Sequence, residues 1–204
     1  MKKKFGMMAL AMILTAGMLA GCGSEQAAES SDGQDAVTGA ITVSAAASLT
    51  DVLNELAQTF QEEYPGTEVS FTFGGSGALQ TQIEEGAPVD LFFSAAESNM
   101  DALEEEGLID ADTRKDVLQN EIVLIAPQGE TAVTSFETIL DSEPQIALGE
   151  AESVPAGKYA QEIFTNLGIW DDVKSHAVFA SNVREVLAWV EAGEADCGVV
   201  YATD

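Results

Sequence analysis

The chain has 204 residues, 46 % of them hydrophobic, enough for one large or two small domains with a sizeable core and too apolar for disorder throughout. Its 35 acidic residues against 8 basic ones give a formal charge of -27, a field that repels nucleic acid and anionic membrane surfaces and excludes both as specific partners. Such a field also repels an anionic ligand at long range, so any anion site must work through short hydrogen bonds in a dehydrated pocket.

Residues 1–22 read as an export signal. Lys2, Lys3 and Lys4 precede an apolar stretch over 7–19 that is short for a membrane span, and Leu19-Ala-Gly-Cys22 follows. That tetrapeptide resembles the bacterial lipobox, which implies lipidation of Cys22 and an acyl anchor on the outer face of the cell membrane. Residues 23–39 are rich in Ser, Glu, Gln, Asp, Ala and Gly and read as a flexible tether. The other cysteine, Cys197, lies in an apolar run and reads as a small buried hydrophobe. With Cys22 lipidated, no intramolecular disulfide is available.

From residue 41 short β-rich runs alternate with helical patterns. A strand over 41–45 leads to Ser48, read as the cap of a helix with Leu49, Val52, Leu53, Leu56 and Phe60 on one face. Asp51 completes a capping-box-like start. Pro65-Gly66 ends that unit. A strand over 69–73 precedes a helix from Ser76 carrying Leu79 and Ile83. A strand over 89–94 precedes a helix with Met100 and Leu103 that stops near Gly107, and 121–126 is a further apolar run. In the second half, 136–140 reads as a short helix and 145–148 as a strand. Residues 155–167 read as a helix with Pro155 in its first turn and Gly168 past its end. Residues 177–180 read as a strand, 183–192 as a helix and 197–201 as a final strand.

This alternation implies parallel-dominated sheets with helices on both faces, a form in which ligands sit at the carboxyl ends of strands. Four strand-to-helix junctions there carry small or hydroxyl residues: Ala45-Ala-Ala-Ser48, Phe73-Gly-Gly-Ser76, Ser153-Val-Pro-Ala-Gly157 and Ser181-Asn-Val-Arg184. A helix N-terminus offers unpaired N–H groups and the positive end of the helix dipole. If the four converge, they form an anion pocket that needs no cation. Without that convergence, Ser48 is a helix cap, Ser76 a loop residue, and Tyr201 a core aromatic. Arg184 reads as a surface or helix-end pair.

An enzyme fits poorly. The single histidine, His176, has no serine nucleophile in a strained elbow, and no zinc-ligand spacing occurs. Asp110-Ala-Asp112 lacks the remaining positions of a calcium loop. Gly74-Gly-Ser-Gly77 lacks the Lys-Ser/Thr pair of a nucleotide loop. The acidic runs at 104–106 and 171–172 read as solvated surface.

Five stretches in order resemble the molybdate-binding proteins of bacterial ABC uptake transporters. They are Ile41-Thr-Val-Ser-Ala-Ala-Ala-Ser-Leu-Thr50, Gly86-Ala-Pro-Val-Asp-Leu-Phe92, Val154-Pro-Ala-Gly157, Asn182-Val-Arg184 and Gly198-Val-Val-Tyr-Ala-Thr-Asp204. The resemblance implies a two-lobed periplasmic-binding-protein-like fold (type II), with a first α/β domain over 40–122, a second over 123–204, and a ligand cleft between them. It places ligand contacts at Ser48 and Ser76 through hydroxyl and N–H, at the N–H groups of Ala156 and Val183, and at the hydroxyl of Tyr201. The family continues past Tyr201 and returns to the first domain, so the chain is expected to be a fragment with an incomplete first domain.

The implied function is an extracytoplasmic, monomeric receptor for molybdate and tungstate that delivers its ligand to a membrane permease, with no cofactor and no bound metal cation. Molybdate at neutral pH is a dianion that only accepts hydrogen bonds. Each bond to a charged group contributes about 1.5–3 kcal/mol, so seven neutral donors offset a desolvation of several kcal/mol per charge. The alternatives are a receptor for sulfate or thiosulfate, or a surface interaction module without transport.

Overall fold

The strand–helix alternation is realised as two sheets in the computed structural model, which describes residues 37–129 and 132–204. The export signal, Cys22 and all but the last three residues of the tether lie outside the described residues. In the first sheet, β1 (Thr38–Ala46) runs between β2 (Gly66–Gly74) and β3 (Leu91–Phe93), all parallel. The pairing of Ala46 with Gly74 and of Ala45 with both Phe73 and Phe93 brings the three carboxyl ends level. In β2, Val69, Phe71 and Phe73 alternate with solvent-facing residues, the period of a half-buried strand. Three helices follow the three strands: α1 (Thr50–Glu63), α2 (Ser76–Glu84) and α3 (Glu97–Glu105).

Two expectations for this half need correction. Ser48 caps no helix. A 3-10 turn over Ala47–Leu49 intervenes, the α1 cap position falls on Leu49 with no side-chain bond, and the Thr50 hydroxyl donates to the Ala47 carbonyl at 2.7 Å. The turn rotates Ser48 out of the cap position and towards the strand ends. The apolar face of α1 is also narrower than its spacing implies. Leu53 and Ala57 are buried, whereas Val52 (55 %) and Leu56 (59 %) remain exposed, because none of the described elements packs over that side of the helix.

The second sheet holds β4 (Ile122–Ile125), β5 (Ile146–Gly149), β6 (Ala177–Ala180) and β7 (Cys197–Tyr201) in the order β4-β7-β5-β6. Its last strand in sequence is interior, parallel to β5 and antiparallel to β4. Helices α4 (Pro155–Asn166), α5 (Trp170–His176) and α6 (Val183–Glu191) cover it. The main core lies here: Ile146, Leu148, Phe164, Val173, Cys197 and Val199 form one buried cluster, with Val186, Val190 and Val200 in a second. Helix α4 lies directly on β5 because Gly157 faces Gly149 without a side chain between them. Gly168, at φ +75°, turns the chain past the end of α4.

Residues 136–140 are turns and not the expected helix. The Ser135 hydroxyl accepts from the Thr138 N–H at 3.4 Å, and the segment closes two separate turns, Asp141 N–H to the Thr138 carbonyl and Glu143 N–H to the Leu140 carbonyl. Local bonds of that kind compete with helix propagation. Conversely α5 was not foreseen. Asp171 and Asp172 are solvent-exposed as expected, but they also occupy its first turn, where they complement the helix dipole. Cys197 is fully buried with a free thiol, and burial pushes that thiol up to about 12, so it stays protonated.

Candidate functional site

All four junctions end on one small cavity. The first sheet contributes Ala46, Ala47 and Ser48 after β1 and Gly74, Gly75 and Ser76 after β2, with Ala95 beyond β3. The second contributes Val154, Pro155 and Ala156 after β5, Val183 after β6, and Tyr201 at the end of β7. Thus Ser48, Ser76, Ala156, Val183 and Tyr201, nominated from sequence, line the same hollow. No charged side chain lines it.

Local structure explains why helix starts free of side-chain caps stand at the cavity. Helix α2 starts after Gly75, which has no side chain to cap it. Helix α4 has no side-chain cap either, and Pro155 at its first position lacks an N–H, so Ala156 carries the first amide of that helix. Helix α6 is capped by Asn182, whose side-chain oxygen accepts from the Glu185 N–H at 3.1 Å, while the Glu185 carboxylate accepts from the Ser181 N–H at 2.9 Å. That reciprocal cap leaves the Val183 amide, a first-turn donor with no intrahelical acceptor, for the cavity.

The hydroxyls are equally defined. Ser76 is fully buried, and its Oγ accepts from the Ala95 N–H at 3.0 Å, which leaves its own proton to donate. The Tyr201 hydroxyl donates to the Ala95 carbonyl at 3.3 Å, a long bond that a stronger acceptor can replace. Burial, with Tyr159 and Asp204 nearby, pushes the Tyr201 hydroxyl far above its ordinary value, so it is a donor throughout the physiological range. Ala95 is the contact that sequence reasoning missed. It follows a strand of only three residues, and its part is played by main-chain atoms; the one available signal was its place at a strand's carboxyl end.

Arg184 does not line the cavity. Its guanidinium pairs with Asp51 at 2.9 Å. A second, more open groove between α1 and β2 is lined by Asn54, Gln58, Gln61 and Glu62 with Ala57, Val69 and Phe71. Gln61 there already accepts from the Val69 N–H at 3.0 Å, and no helix N-terminus points into it. The chemistry converges at the smaller cavity, whose lining can surround a small acceptor-only anion with neutral donors and includes no base to activate its serine hydroxyls.

Comparison with known proteins agrees with this geometry. Residues 41–204 match the family model described as bacterial extracellular solute-binding protein. A Bacillus subtilis (strain 168) protein, YvgL, named as a candidate ABC transporter substrate-binding lipoprotein, is 45 % identical over 188 residues, covering 92 % of this chain and 70 % of that protein. The molybdate-binding protein ModA of Haemophilus influenzae (strain ATCC 51907 / DSM 11121 / KW20 / Rd) is 39 % identical over 201 residues, covering 96 % and 75 %. Among solved structures, the periplasmic molybdate-binding protein of Azotobacter vinelandii superposes with a TM-score of 0.70 at 27 % identity, covering 79 % of this chain and 71 % of that one. The chain belongs to the bacterial extracellular solute-binding protein family.

Proposed function

We propose that this protein is the substrate-binding component of an ABC transporter for molybdate and tungstate. It is a binding protein and not an enzyme, and its ligand is an oxyanion rather than a cofactor. Ser48 and Ser76 donate through hydroxyl and N–H, Ala156 and Val183 through N–H, and Tyr201 through its hydroxyl. The observation that carries this reading is a cavity built from the starts of α2, α4 and α6 and the 3-10 turn after β1, with no charged side chain on its wall.

A permanently doubly charged, acceptor-only guest suits such a wall, since its hydroxyls and first-turn N–H groups donate and none needs a counter-charge when the site empties. A protonated phosphate would need an acceptor, and the lining offers no carboxylate. Residues 40–122 and 123–204 act as two lobes that close on the anion, and the closed form is what the membrane permease recognises. Cys22 carries the lipid that holds the receptor at the outer face of the cell membrane, with residues 23–39 as its tether and the receptor working as a monomer. The relative named as a lipoprotein supports the anchor.

Calorimetric titration with molybdate, tungstate, sulfate and phosphate tests the reading. Saturable heat with molybdate and tungstate and none with phosphate is expected. Preference for sulfate would reassign the ligand, and no heat with any of the four would overturn the receptor assignment.

A further inference from the structure

Two glycines at the start of α2 occupy positions where a methyl group has no room. A Cβ on Gly77 would stand 2.8 Å from the Ser153 Cα and 3.0 Å from the Ser153 carbonyl oxygen. A Cβ on Gly75 would stand 2.8 Å from that same carbonyl and 2.9 Å from the carbonyl of Ser181. All three of these atoms belong to the backbone, so none can swing aside as a side-chain tip would. Neither glycine needs its conformational freedom. Gly75 sits at φ -64°, ψ 135°, and Gly77 lies within α2, both ordinary for any residue. Space, not backbone geometry, demands glycine here.

Ser153 and Ser181 belong to the loops that lead into α4 and α6, on the second sheet. The Gly77 N–H donates to the Ser153 carbonyl at 2.9 Å, a main-chain bond directly joining the two halves beside the cavity. We propose that Gly75 and Gly77 form the bearing surface on which the halves meet, so that their lack of side chains sets how closely the donors of α2 approach those of α4 and α6. These are positioning residues: their role is to fix cavity width, and with it the simultaneous reach of donors from both sides. This rests on the oxyanion reading above.

The test is Gly77→Ala, with Gly75→Ala as an independent second variant. Each is titrated with molybdate by calorimetry and melted without ligand by circular dichroism. Alanine inside a helix is favoured over glycine, so a Gly77→Ala protein that keeps its circular-dichroism spectrum and its ligand-free melting temperature is folded. The expected result is such a protein with molybdate affinity at least tenfold weaker, and Gly75→Ala weakened likewise. Unchanged affinity in both variants, with wild type binding normally, would overturn the inference. If affinity and ligand-free melting fall together in both, the glycines serve the fold at large and the inference is likewise overturned. A wild type that binds no oxyanion defeats the ligand assignment instead.

Discussion

Arg184 at the start of α6 reaches Asp51 at the start of α1, Nη1 to Oδ2 at 2.9 Å, tying a helix of the second sheet to one of the first. Its neighbour Val183 and the nearby Ser48 line the cavity, so the pair forms beside that hollow without entering it. Both side chains are substantially exposed, at 36 % and 76 %. An exposed pair of this kind contributes about 0–1 kcal/mol and is screened by salt. Asp51→Asn is therefore expected to weaken molybdate binding only a few-fold at low ionic strength, with the difference from wild type vanishing near about 1 M salt. Titration at both ionic strengths checks this; a gap that persists in high salt would mean that Asp51 acts otherwise than by charge.

The two serines are expected to fail differently. Among the described residues, none bonds the Ser48 side chain, so Ser48→Ala should leave ligand-free melting unchanged while costing about 1.5–3 kcal/mol of molybdate affinity. Ser76→Ala also removes the acceptor of the Ala95 N–H. It should lose comparable affinity and about 1–3 kcal/mol of stability besides, a fall of roughly 2–4 °C per kcal/mol for a domain of this size. Calorimetry and thermal melts of both variants decide, and equal affinity in Ser48→Ala would remove that residue from the site.

Cys197 makes stability fall on the alkaline side. An unfolded thiol ionises near its ordinary value of 9.0, while in the fold burial, with Asp196 adding to it, holds the group up to about 12. Between those values the unfolded chain releases a proton that the folded one keeps, so stability is undiminished below about pH 9 and declines from there towards about pH 12. Denaturant melts across that window should show the decline in wild type and a shallower one in Cys197→Ala. A thiol reagent at pH 8 should label Cys197 only after unfolding; labelling of the native protein would contradict its burial.

Much of the site was legible because it is written in strand ends and helix starts. Strands β6 and β7 begin and end where the sequence pattern puts them, and α4 lies between its Pro155 and Gly168 signals to within a residue. Hydrophobic periodicity and breakers govern these elements, and both are local. What was not legible depends on distant neighbours. The exposure of Val52 and Leu56 reflects which elements cover α1, which no helical spacing reveals. Ser48 looked like a cap because a single 3-10 turn, set by the Thr50-to-Ala47 bond, leaves no mark in composition. Helix α5 is only seven residues long and begins two residues after Gly168, so it offers too few periods to read. Ala95 contributes only main-chain atoms, on which side-chain identity is silent.

Strand β7 is the seventh in chain order yet occupies an inner place between β4 and β5, and it ends on Tyr201. The two strands it joins have no hydrogen-bonded ladder to each other without it, and its pairing with β4 spans a separation of 73 to 79 residues along the chain in the register Ile125–Gly198 to Ile122–Tyr201. Insertion of so remote a partner is slow by its loop-closure entropy. The hollow that Tyr201 lines therefore takes shape only once segments more than seventy residues apart have met, so it is a late product of folding and not the property of any one local stretch.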